Sequence, residues 1–146
     1  MTGKKLLIFF AAVILVGGAL FLQTRQRCLG DLLPKSDWTK ATLEQTMDEN
    51  LSGNIRYESP PVAEILSLLR ATQVSSGREK RSVENRAFRI TLYRENAWPT
   101  VLYVDPTGRI SLAVDMRYDN WKYYRGGAAL YTALEELSET LVAVVP

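Results

Sequence analysis

Seventeen consecutive residues near the start, Leu6 to Leu22 (LLIFFAAVILVGGALFL), carry no charge and no side chain more polar than glycine. As a helix the run is about 25 Å long, near the short end of the roughly 17–25 residues that cross a bilayer. It is apolar on every side, so it has no polar stripe to turn toward water. The rest of the chain offers one core of ordinary size, too small to enclose it. These properties point to a transmembrane signal-anchor over residues 1–24, held in lipid by Leu6, Phe9, Phe10, Ile14, Leu15, Phe21 and Leu22. The short basic leader with Lys4 and Lys5 is expected to stay inside. That puts the amino terminus in the cytoplasm and the C-terminal domain outside it, as a single-pass protein of the cell membrane. The rival expectation is a secreted protein after signal cleavage. Lys4 and Lys5 suit a signal peptide and Gly17 and Ala19 are a small pair, but Leu20, Phe21 and Leu22 continue the apolar run beyond them.

Charge narrows the function classes. Of 18 Lys plus Arg, two lie ahead of the run, leaving 16 against 16 Asp plus Glu from Gln23 onward. A balanced domain lacks the basic footprint that nucleic-acid binding needs. The chain has no histidine and one cysteine, Cys28. An intramolecular disulfide, a Cys/His zinc site and a His-based triad are therefore excluded. No glycine-rich phosphate loop occurs. Asp115, Asp119 and Asn120 do not have the alternating spacing of a calcium loop. The expectation is a non-enzyme without metal or cofactor.

Residues 25–36 read as a juxtamembrane linker and 37–146 as a single α+β domain. WTKATLEQTMDEN fits either a helix, through Leu43 and Met47, or a strand with Ala41, Leu43, Gln45 and Met47 on one face. The strand is preferred, turning at NLSGN into IRYE as a hairpin. SPPVAEILSLLRATQ reads as a helix, with Ser59 as N-cap, Pro60 in the first position, and Val62, Ile65, Leu66 and Leu69 as its apolar stripe. AFRITLYRE alternates, with Phe88, Ile90 and Leu92 inward and Arg89, Thr91 and Tyr93 outward. WPTVLYV follows, then the turn DPTG, then RISLAVDM, with WKYY as a short last strand. After Gly126 and Gly127, AALYTALEELSETLV closes as a helix with Leu130, Leu134, Leu137 and Leu141 on one stripe. The order expected is β-β-α-β-β-β-α, an antiparallel sheet covered by two amphipathic helices.

An apolar anchor, an LP…W start, a hairpin, an S-P-x-x-x-x-I-L-x-L-L helix and a meander carrying G-R-I and YY resemble the small membrane-anchored or lipoprotein extracytoplasmic domains of Gram-positive bacteria. The resemblance implies a cell-envelope location and brings no activity or site residues with it. Arg27 directly precedes Cys28, which departs from the lipoprotein pattern.

Two surfaces remain as candidates. Aromatic residues crowd the last third, and Tyr93, Trp98 and Tyr124 are the expected contact surface for an envelope protein partner. The polar loop SSGREKRSVENR carries Arg78, Lys80, Arg81 and Arg86 against Glu79 and Glu84. It is the alternative, a contact for anionic lipid headgroups or a cell-wall polymer.

Overall fold

A computed structural model describes residues 3–46, 54–78, 86–116 and 120–144, the side chains at positions 18–24 excepted. In chain order the elements are helix α1 (Gly3–Thr24), strand β1 (Arg27–Cys28), a single 3-10 turn (Leu29–Leu32), β2 (Trp38–Thr46), β3 (Ile55–Tyr57), helix α2 (Val62–Arg70), β4 (Gln73–Ser76), β5 (Ala87–Arg94), β6 (Thr100–Val104), β7 (Ile110–Ala113), β8 (Lys122–Arg125), helix α3 (Ala128–Thr140) and β9 (Ala143–Val144). Among the described residues the nine strands form one sheet in the order β1-β4-β8-β7-β6-β5-β2-β3-β9. Every pairing is antiparallel.

The expected membrane anchor is corrected here. Among the described residues no helix is long and apolar enough to cross a membrane. The uncharged apolar run of the sequence is 17 residues, Leu6 to Leu22. As a helix it would extend about 25 Å, short of about 30 Å of hydrocarbon. Leu6, Phe9, Phe10, Ile14 and Leu15 are exposed along α1, whereas Phe21 and Leu22 lie outside the described side chains. The single-pass anchor therefore falls. The location derived from it falls too, with the amino terminus in the cytoplasm and the domain beyond the membrane.

The expected element order also changes. The stretch read as a linker contains β1, whose Arg27 and Cys28 pair with Val74 and Gln73 of β4. It also supplies Leu29 and Leu33 to the core. The helix expected to run to Gln73 ends at Arg70, and the residues after it form β4. Its start moves as well, because Pro61, not Ser59, occupies the N-cap position. Pro61 forces the residue before it out of the helical region, so Pro60 cannot begin a helix. Of the two structures open for residues 38–46 the chain takes the strand, with Ala41 and Leu43 buried. Met47 lies outside the described residues.

Helices α2 and α3 are both crossovers. The first carries the chain from β3, near one edge of the sheet, to β4, near the other; the second returns it from β8 to β9. Both pack on the same face. Ile65 and Leu69 of α2 and Leu130, Tyr131, Leu134 and Leu137 of α3 join Leu43, Phe88, Ile90, Leu102 and Ile110 of the sheet in one cluster. Each such side chain, fully buried, stabilises the fold by about 1.5–3 kcal/mol. Neither α2 nor α3 packs on the opposite face. It presents Glu44, Arg89, Tyr103, Ser111 and Tyr123 in consecutive registers across β2, β5, β6, β7 and β8.

Candidate functional site

The DPTG turn between β6 and β7 is built around Asp105, which is fully buried. Its Oδ1 accepts hydrogen bonds from the Thr107 backbone N–H (3.0 Å), the Thr107 hydroxyl (2.7 Å) and the Arg109 N–H (3.0 Å). The turn closes when the Gly108 N–H donates to the Asp105 carbonyl at 3.0 Å. Gly108 has φ +89°, and a Cβ there would lie 2.6 Å from the Ala128 nitrogen at the start of α3. Only glycine allows both the left-handed backbone and the close approach of the helix. The turn is thereby fixed in shape and fixed against α3, and it presents Thr107 and Arg109 from a rigid base.

A second wall comes from the pairing of β4 with β8, Ser75 opposite Arg125 and Ser76 opposite Tyr124. The chain leaves β4 at Gly77, whose N–H donates to the Tyr123 carbonyl at 2.9 Å. A Cβ at Gly77 would sit 3.2 Å from the Tyr124 carbonyl carbon. The strands therefore stay in contact to the point where Arg78 turns outward.

Between these walls lies a cavity of about 630 Å³, lined by Ser76, Gly77, Arg78, Thr107, Arg109, Tyr124 and Arg125. Three arginine residues from three separate chain segments line it, and among the described residues no acidic one does. The Nε of Arg125 donates to the Ser75 hydroxyl at 3.2 Å, which orients that side chain. Burial pushes the Tyr124 phenol above its ordinary value, and the nearby Arg27 charge opposes the shift. The phenol thus stays a neutral hydrogen-bond donor near pH 7. Arg27 adds a fourth cation at the same edge of the sheet.

A second cavity of about 510 Å³ lies at Asp31, Lys35, Ser36, Trp38, Leu66 and Arg70. It mixes an acid with two bases, so it has no comparable preference for one sign of charge.

The sequence-predicted site residues are dispersed. Arg78 lines the arginine cavity. Arg86 is exposed just before β5, while Lys80 and Arg81 lie outside the described residues. Tyr93 and Trp98 are 38% and 54% exposed, on and just after β5. The Tyr93 ring lies 6.0 Å from Lys40 Nζ. Tyr124 is only 8% exposed and stands three strands away from Tyr93, on β8. At about 4.8 Å per strand the two cannot share one contact patch of small size. Of Asp115, Asp119 and Asn120, the last donates from Nδ2 to the Val114 carbonyl at 2.8 Å; Asp119 lies outside the described residues. Among those residues no group of three His, Cys, Asp or Glu side chains is placed to hold a metal ion.

The cavity residues missed by sequence reading are Ser76, Thr107, Arg109 and Arg125. Two of them carried a usable signal. Arg109 directly follows a DPTG turn and precedes the inward Ile110, so alternation places it outward. Thr107 sits in the same turn. Arg125 and Ser76 carried none without knowledge that β4 pairs with β8.

No protein-family model matches the chain, and neither a curated protein nor a solved structure does.

Proposed function

We propose that this protein is a non-catalytic binding domain whose ligand is anionic and enters the cavity formed by Arg78, Arg109, Arg125, Ser76 and Thr107. The observation that carries the proposal is that three arginines from separate segments line one cavity, with no acid among its described lining residues. Guanidinium groups remain charged at any physiological pH and present forked donors that match anionic oxygens. The Thr107–Asp105 contact is a turn cap. The Asp105 Oδ1 already serves two backbone N–H groups and the Thr107 hydroxyl, so that oxygen is committed to the turn.

The basic contact read from the sequence keeps Arg78 and gains Arg109 and Arg125; Lys80 and Arg81 lie outside the described residues. A labelled dextran sulfate titrated into the full chain tests the proposal by fluorescence anisotropy. Binding should weaken as sodium chloride rises. It should also fall about tenfold in an Arg78→Ala, Arg125→Ala double variant, because charge-assisted hydrogen bonds are lost. Unchanged affinity in that variant would remove the cavity as the site.

A further inference from the structure

We propose that helix α1 (Gly3–Thr24) is a self-association element, which docks against α1 of further copies of this chain in an assembly of three or more. Every residue from Gly3 to Gly17 is exposed. Leu7 and Leu15 are each 74% exposed and Ile14 is 71% exposed. A Cβ at Gly17 would meet nothing within 4 Å beyond its own turns of helix. The helix meets its own domain at β4, and none of its described side chains joins the core. A helix apolar on every side is normally enclosed by other surfaces. The large apolar side chains between Leu6 and Val16 leave roughly 1,000 Å² in water, beyond the about 300–600 Å² of the largest patch on a typical monomer.

The chemistry of the helix selects its neighbour. No charge interrupts the run from Leu6 to Leu22, so a complementary surface must itself be long, uncharged and apolar. Elsewhere among the described residues the large exposed apolar side chains are Tyr93 and Trp98 at one place and Val142 and Val144 at another. Neither pair is long enough to receive a helix. The α1 of another copy has the required surface, and its uncharged run brings no like charges together along the contact. Lys4 and Lys5 lie before the run and are exposed. A helix without a polar face is unsuited to lying flat on a membrane surface, and no described helix is long and apolar enough to cross one.

Area sets the number of copies. One helix covers at most about half of another, roughly 500 Å² here, against the about 800 Å² per partner of a standard interface. A pair of α1 helices therefore falls short. A helix with a neighbour on each side removes most of its roughly 1,000 Å² from water and reaches that size.

Sedimentation velocity of the full chain in detergent-free buffer, across a range of concentrations, tests the proposal. The expected result is one discrete species of at least three chains of 16.5 kDa. Leu7→Glu combined with Val16→Glu places carboxylates on opposite sides of the helix. Whichever side meets a neighbour, a charge is then buried there without a partner. The concentration at half-assembly should rise at least about tenfold. Both positions are exposed, and melting of the domain reports that folding is retained. Leu7→Met combined with Val16→Ile keeps the surface apolar and should assemble as the unaltered chain does. A monomer or a dimer at every concentration would overturn the proposal, as would unchanged assembly of the glutamate variant. Phosphatidylcholine vesicles offer the competing occupant without net charge. A chain that is monomeric in buffer and floats with those vesicles would assign α1 to lipid instead. A broad spread of masses without a discrete species would mean aggregation and overturn the proposal as well.

Discussion

Strand β5 belongs to two different environments at once. Toward the helices it presents Phe88, Ile90 and Leu92, all sealed from solvent; away from them it presents Arg89, Thr91 and Tyr93. Phe88 meets the Tyr131 ring of α3 at 5.1 Å between centroids. On the other side, the Arg89 guanidinium lies 5.8 Å from the Tyr103 ring, and Tyr103 lies 5.7 Å from Trp121. The first face gains its stability from area removed from water, which scales with side-chain size. The second uses long side chains to shelter short ones, and each contact there is worth about 0.5–1 kcal/mol. A domain built this way keeps most of its stability under two helices. Its uncovered face and its arginine-bearing edge can then vary, or bind, at little cost to folding.

The largest expected effect tests the covered face. Phe88→Ala removes a fully buried ring and leaves a cavity against Tyr131. It should cost about 3–5 kcal/mol. Arg89→Ala, one residue along the same strand, should cost about 1 kcal/mol or less. Urea denaturation of both variants measures the contrast. Losses of similar size would break the comparison, since the two faces would then contribute alike.

The junction between the covered face and the arginine cavity is the next test. Gly108→Ala places a methyl group 2.6 Å from the Ala128 nitrogen, at φ +89°. A non-glycine residue held in strained backbone costs about 1–3 kcal/mol. The clash with helix backbone, which cannot move without shifting α3, adds to that. Denaturation should show a loss of at least about 2 kcal/mol. Dextran sulfate affinity should fall as well, because Thr107 and Arg109 are presented by the same turn. A destabilised variant with unaltered ligand affinity would separate the turn from the site.

The covered face was the more legible of the two in the sequence. Phe88, Ile90 and Leu92 alternate, as do Ile110 and Leu112, and period-two burial is set by the strand itself. The stripe Leu130, Leu134, Leu137 marks α3 for the same reason, with a period of 3.6. The uncovered face obeys a weaker rule. Thr91, expected outward, is 6% exposed, and its cross-strand partner Val101 is 1% exposed. Strand β4 was not legible at all. QVSS is short and polar, and it becomes a strand only through pairing with residues about fifty positions away. Since the arginine cavity depends on that pairing, Arg78 could be noticed as a charge but not placed beside Arg125. The apolar run at the start misled in the opposite way. Its composition suggested a span, but 17 residues make about 25 Å of helix, and no described helix is long and apolar enough to cross a bilayer.

The smallest expected effect lies on the uncovered face, where Arg56 Nε and Glu44 Oε1 form an ion pair at 2.9 Å between neighbouring strands. The Arg56 side chain is 72% exposed and the Glu44 side chain 17%. The pair sits opposite in register across β2 and β3, so the geometry is held by the sheet and little rotamer entropy is lost on the Glu44 side. Water reaches the guanidinium freely, however, and screens the attraction. A double-mutant cycle with Glu44→Gln and Arg56→Gln should therefore give a coupling of about 0.2–1 kcal/mol. The coupling should shrink toward zero in molar salt, where the screening length is about 3 Å. A coupling of several kcal/mol that persists in salt would mean that the uncovered face is shielded by something beyond its own side chains. The two faces would then no longer differ in the way their exposure implies.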